Sequence, residues 1–120
     1  MKELKLRAYN KQENKLFYSR DDSRGLSNFF YQIEFGGLSN PTEFIGEYDK
    51  NKKEIYENDI VKFEEYLPDE GLKIQIGKIV FKNGSFIIEH IKGGYFNSIY
   101  NYMYDLEVIG NIFENKELLK

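Results

Sequence analysis

The side chains able to do acid–base or metal chemistry are few. His90 is the single histidine of the 120 residues, and histidine is the side chain whose ordinary pKa best suits proton transfer near neutral pH. General acid–base use needs a partner within hydrogen-bond reach, and no neighbour in the sequence supplies one. A Ser-His-Asp triad can assemble from distant positions, but no Gly-x-Ser-x-Gly string is present. His90 shares a strand face with Phe86 and Ile88, which favours a structural role. Glu54, Glu57 and Asp59 lie within six positions and could gather on a hard divalent cation. In a turn that precedes a strand, however, such carboxylates more often bond nearby backbone amides. There is no cysteine, which removes thiolate nucleophiles, disulfides and cysteine-ligated zinc. No phosphate-cradling glycine loop of either common kind occurs. No catalytic, cofactor-binding or metal-binding residue is therefore assigned.

Two groups of residues suit binding better than catalysis. Lys5, Arg7, Lys11 and Lys15 alternate with Tyr9 and Tyr18, the mixture of cations and aromatic faces on which single-stranded nucleic acid stacks. Glu3 and Glu13 dilute that patch, and lysines also protect edge strands from aggregation. Seventeen basic against twenty acidic residues leave a net charge of -3, against a general attraction to phosphate backbones. The second group is Tyr95, Phe96, Tyr100, Tyr102 and Tyr104. Tyrosine joins apolar area to a polar tip and is enriched where proteins meet, so of the three readings open to this cluster, core, stacking platform or subunit interface, the interface is preferred.

The elements that must position these residues read as strands. Leu4 to Tyr9 alternates apolar with polar residues, and Leu16-Phe17-Tyr18 returns beside it after a polar turn. Phe29 to Phe35 is aromatic and reads as another strand, closed by Gly36-Gly37. Strands follow over Thr42–Tyr48 and Ile60–Tyr66. The strongest signal is Leu72–Phe81, Asn83-Gly84 and Ser85–Ile91, because Asn-Gly between apolar runs marks a tight hairpin. Ile74, Ile76 and Val80 share one side of its first strand and Ile79 and Phe81 the other, so both faces call for cover. Gly77 is a candidate bulge. Leu106–Phe113 reads as a closing strand, after which Asn115 is positioned to cap a helical turn. No signal peptide or transmembrane run appears at the amino terminus, which with the absence of cysteine fits a cytoplasmic protein.

Four blocks resemble the YopX-like proteins of phages and prophages. Leu4 to Lys11 is similar to the start of that family, with Tyr9 in place of the usual Trp. The specific block is Ile45–Val61, which resembles the family pattern Thr-Gly-Leu-x-Asp-x-Asn-Gly-Lys-Glu-Ile-Tyr-Glu-Gly-Asp-Ile-Val. Gly77–Phe86 and Leu106–Asn115 follow in the family's order. Lys52 and Asn58 stand where the family usually has glycine, and Glu47 where it has an apolar residue. The resemblance implies a phage or prophage accessory protein and carries over no activity, cofactor or catalytic residue.

The expectation is a mainly β fold with little helix in one domain, residues 1–120. Residues from about 59 to 113 form a partly open SH3-like barrel, and the strands of about 1–58 pack beside it. The expected function is a non-enzymatic homo-oligomeric binding or adaptor protein acting on a phage or host protein, with no membrane association. A nucleic-acid-binding barrel is the alternative. A metal-dependent enzyme using Glu54, Glu57, Asp59 and His90 ranks third.

Overall fold

Alternation at the amino terminus produces a hairpin as expected. Strands β1 (Leu6–Asn10) and β2 (Lys15–Tyr18) pair antiparallel, from Arg7 opposite Tyr18 to Asn10 opposite Lys15. Their turn is held locally: Asn10 Oδ1 accepts the Glu13 N–H at 3.0 Å, and Asn14 takes a φ of 54°, which asparagine tolerates. The computed structural model describes residues 4–22, 24–92, 96–102 and 105–119, with the backbone alone at Phe96 and Asn97. Its contacts gather into two compact units, Met1–Phe44 and Ile45–Lys120.

In the first unit β1 is flanked by β2 and by the opening residues of β3 (Thr42–Tyr48), with Thr42 opposite Arg7 and Glu43 opposite Leu6. The expected strand over Phe29–Phe35 is instead part of helix α1 (Leu26–Phe35). The physical reason is period. Leu26, Phe29, Phe30 and Ile33 recur at helical spacing, and Phe29 and Ile33 pack with Leu6, Ala8 and Leu38 into one apolar cluster. As a strand, the run would keep Phe29 and Ile33 on one side but send Leu26 and Phe30 to the other. At its end, the Gly36 N–H donates to the Gln32 carbonyl at 2.8 Å, and Gly37 turns the chain away at φ 83°.

The second unit carries β4 (Glu54–Tyr56), β5 (Asp59–Leu67), β6 (Gly71–Lys82), β7 (Ser85–His90), β8 (Phe96–Ser98) and β9 (Glu107–Asn111). Five of them form an antiparallel sheet in the order β8-β7-β6-β5-β9. Strands β5 to β8 follow one another as a meander, and β9 returns to the far side of β5, curling the sheet into the partly open SH3-like half-barrel expected from the sequence. Asn83 (φ 53°) and Gly84 (φ 83°) both take the left-handed conformation that a two-residue hairpin turn requires. Ile45, Ile55, Val61, Phe63, Ile79, Ile88, Ile99, Leu106 and Val108 form the core.

Gly77 is not at a bulge. The register shift lies between Ile60 and Val61, where β5 meets β9. At Gly77 the neighbouring strand approaches closely, so that a Cβ there would stand 2.5 Å from Ile88 Cγ2. The carboxyl-terminal turn forms as 3-10 helix over Lys116–Leu119, but the side chain of Asn115 turns back instead of capping it: its Oδ1 accepts the Asn111 N–H at 3.1 Å. Among the described residues no helix is long and apolar enough to cross a membrane.

Candidate functional site

Folding Leu26–Phe35 as a helix creates a cleft in the first unit. It has a volume of about 600 Å3 and lies between β2 and α1. Leu16, Phe17, Phe29 and Leu38 supply its apolar part, and Asn28 and Gln32 line it from α1. Its charged lining is Glu13, Asp21 and Asp22 against Lys15 and Arg24. Asp22 organises the start of α1: its carboxylate accepts the Asn28 Nδ2 at 2.8 Å and the Arg24 N–H at 2.9 Å. Those two hydrogen bonds, the Asn28 one foremost, hold its carboxyl below the usual aspartate range. Lys15 Nζ lies 5.3 Å from the centroid of the Phe17 ring, within reach of a cation–π contact.

The sequence-derived cationic patch is divided by this fold. Arg7 is only 3% exposed and its Nε donates to Thr42 Oγ1 at 3.4 Å, so it offers no cation to a surface ligand. Lys5 Nζ sits 5.0 Å from the centre of the Phe44 ring. Tyr9 is opposite Leu16 and Tyr18 opposite Arg7, whereas Lys15 is opposite Asn10. Side chains alternate along a strand, so Lys15 is on the other sheet face from Tyr9 and Tyr18. The Tyr9 hydroxyl donates to Asn14 Oδ1, and Lys11 is exposed in the turn.

In the second unit two of the three carboxylates considered for metal, Asp59 and Glu54, serve the backbone and a neighbouring hydroxyl. The Tyr56 N–H donates to Asp59 Oδ2 at 2.8 Å, and the Tyr56 hydroxyl to Glu54 Oε1 at 3.4 Å. No three His, Asp or Glu side chains among the described residues form a metal-holding group. His90 is buried, its ring edge-on to Phe63 with centroids 5.4 Å apart. Of the aromatic cluster, Tyr100 is exposed, while Tyr102 leans on Phe63 at 4.7 Å and its hydroxyl donates to Glu65 Oε2 at 3.0 Å. Tyr95 and Tyr104 lie outside the described residues, as does the side chain of Phe96.

A different surface is apolar. Tyr66 is opposite Leu72, Glu64 opposite Ile74 and Lys62 opposite Ile76, so these six share the outer face of β5 and β6. Tyr66 is 71% exposed, Leu72 62%, Ile74 66% and Ile76 36%, while Ile79 on the inner face is fully buried. The sequence shows that β6 is apolar on both sides. It does not show which side stays wet.

In the specific central block, the Asp49 side chain accepts three backbone N–H groups. It is buried; its Oδ1 accepts the Asn51 and Lys53 N–H groups, each at 2.8 Å, and its Oδ2 the Val108 N–H at 2.9 Å. One carboxylate thus shapes the turn before β4 and ties it to β9. Lys52 and Asn58 take φ values of 65° and 73°, the left-handed conformation that favours glycine.

A family model described as "YopX protein" matches residues 5–120. The chain belongs to the YopX family. Protein EF1440 from Enterococcus faecalis, known from its crystal structure, is similar over 100% of both chains at 23% identity with a TM-score of 0.63; the likeness is one of fold. No curated protein is similar to the chain. The residues that most specifically resemble the YopX pattern, Ile45–Val61, are the ones that build the Asp49 clasp and the two left-handed turns. In this YopX protein, that block is architecture. The cleft beside α1 escapes a reading in which Phe29–Phe35 is a strand, and its signal in the sequence is the helical spacing of Leu26, Phe29, Phe30 and Ile33.

Proposed function

We propose that this YopX-family chain is a non-enzymatic binding or adaptor protein of the bacterial cytoplasm that self-associates and takes a phage or host protein as its partner. The observation that carries the reading is the exposed row of Tyr66, Leu72, Ile74 and Ile76 on β5 and β6. A contiguous apolar surface on a soluble domain is costly to leave in water and commonly marks an interaction site. Charge supports a second copy as its occupant. Lys62, whose Nζ also lies 3.3 Å from Glu107 Oε1 of its own chain, and Glu64 stand two residues apart beside Ile76 and Ile74, so an antiparallel twofold arrangement brings Lys62 near Glu64 of a second copy and sets apolar residue against apolar residue. The test is the solution mass across a concentration series, by light scattering after size exclusion. A mass rising from 14.3 kDa to a stable multiple is expected. A strictly monomeric species at the highest concentration would remove self-association from the proposal.

A further inference from the structure

The cleft of the first unit has a feature that its volume does not convey: one wall is the edge of a sheet. Strand β2 pairs with β1 and with no further strand among the described residues. Which of its backbone groups point outward follows from Tyr9. The Tyr9 N–H donates to Ser39 Oγ at 3.0 Å and its carbonyl accepts the Ser39 N–H at 2.8 Å, so both groups of Tyr9 face away from β2. Tyr9 and Leu16 are therefore a pair without mutual hydrogen bonds, and in an antiparallel ladder such pairs alternate with bonded ones. Lys15 and Phe17 bond to β1, and Leu16 turns its N–H and carbonyl outward.

Side chains alternate too, in the opposite sense to the purpose of Leu16. Phe17 is opposite Ala8, and Ala8 packs with Phe29 of α1, so Phe17 stands on the face that α1 covers and Leu16 on the other. Leu16 nonetheless lines the cleft, which its strand edge explains. The cleft thus has an outward-facing strand edge on one side, Phe17 and Phe29 in its apolar part, and Asn28 and Gln32 of α1 on the other side. A groove between an edge strand and a helix is the geometry in which an extended peptide is captured by strand addition, main-chain bonds supplying affinity and alternate side chains specificity.

We propose that this cleft binds an extended segment of a partner protein, which adds beside β2 as a further strand. The four residues of β2 span about 13 Å at roughly 3.3 Å per residue, room for a segment of four or five residues. Three carboxylates, Glu13, Asp21 and Asp22, against Lys15 and Arg24 favour a segment of net positive charge, with large apolar residues at alternate positions to meet Phe17 and Phe29.

The test uses the full chain and reads out whether or not the chain self-associates. A displayed library of random nine-residue peptides is selected on the immobilised protein, and enriched peptides are synthesised for titration. Expected are peptides alternating large apolar with polar residues and carrying basic ones. Methylating their backbone nitrogens at every second position should weaken binding at least tenfold, and at the intervening positions less than twofold, since a strand turns alternate amides to its neighbour. The double variant Glu13→Lys, Asp21→Lys, changed at two exposed side chains, should weaken binding at least fivefold with an unaltered melting curve. No enrichment above the bare support would overturn the proposal. So would peptides indifferent both to the methylation pattern and to charge reversal.

Discussion

At the scale of single residues, the carboxylate of Asp49 serves the fold and not chemistry. It accepts three backbone N–H groups from positions 51, 53 and 108. Removing a buried acceptor leaves its donors unsatisfied. Asp49→Ala is expected to cost about 3 kcal/mol in urea unfolding, and the exposed Asp69→Ala less than about 0.5 kcal/mol. Lys52 pulls the other way. Its φ of 65° is a conformation that costs an L-residue with a side chain roughly 1–2 kcal/mol, partly offset because glycine has more freedom to lose on folding. Lys52→Gly should therefore stabilise the protein by about 0.5–1 kcal/mol, while Asn58→Gly changes stability less, because asparagine already tolerates that region. A destabilised Lys52→Gly protein would mean that the lysine side chain contributes something its backbone angle does not reveal.

At the scale of elements, the contrast between the β6–β7 hairpin and α1 shows what local sequence conveys. Asn83-Gly84 is a turn for reasons internal to two residues, and the flanking strands form where their composition places them. Leu26–Phe35 is rich in residues that suit either structure, and its helical spacing competes with an aromatic content that favours strands. Packing with Leu6, Ala8 and Leu38 decides it. Gly77 makes the same point. A glycine inside a strand signals a bulge or a close approach, and only the unbroken register that sets Gly77 opposite Val61 and His90 distinguishes them. Gly77→Ala would bring a Cβ to 2.5 Å from Ile88 Cγ2 and 2.8 Å from the Glu89 carbonyl oxygen. Backbone cannot yield as a side-chain tip can, so a loss of about 2–3 kcal/mol is expected by thermal or urea unfolding.

At the scale of the molecule, the exposed row on β5 and β6 is where stability and association separate. Ile74 is 66% exposed, so Ile74→Lys removes little buried area and should move the melting temperature by no more than about 3 °C. If the outer face is the self-association surface, the same substitution keeps the mass at 14.3 kDa at concentrations where the parent chain associates. An Ile74→Lys protein that still associates like its parent would move the interface elsewhere, with the exposed aromatic residues Tyr31 and Phe35 of α1 next in line.

By itself, the sequence determined the mainly β composition, the positions of most strands, the half-barrel and the family, because alternation and turn chemistry act over a few residues and leave a local trace. It also placed Lys52 and Asn58 where glycine would be usual. Only the tertiary structure decided that Arg7 is buried, that Lys15 and Tyr9 lie on opposite sheet faces, that Phe29 helps to line a cleft, and that the Leu72–Ile76 side of β6 is the exposed one. Each of these depends on strand register or on packing between residues far apart in the chain, and neither is written in the residues of one segment.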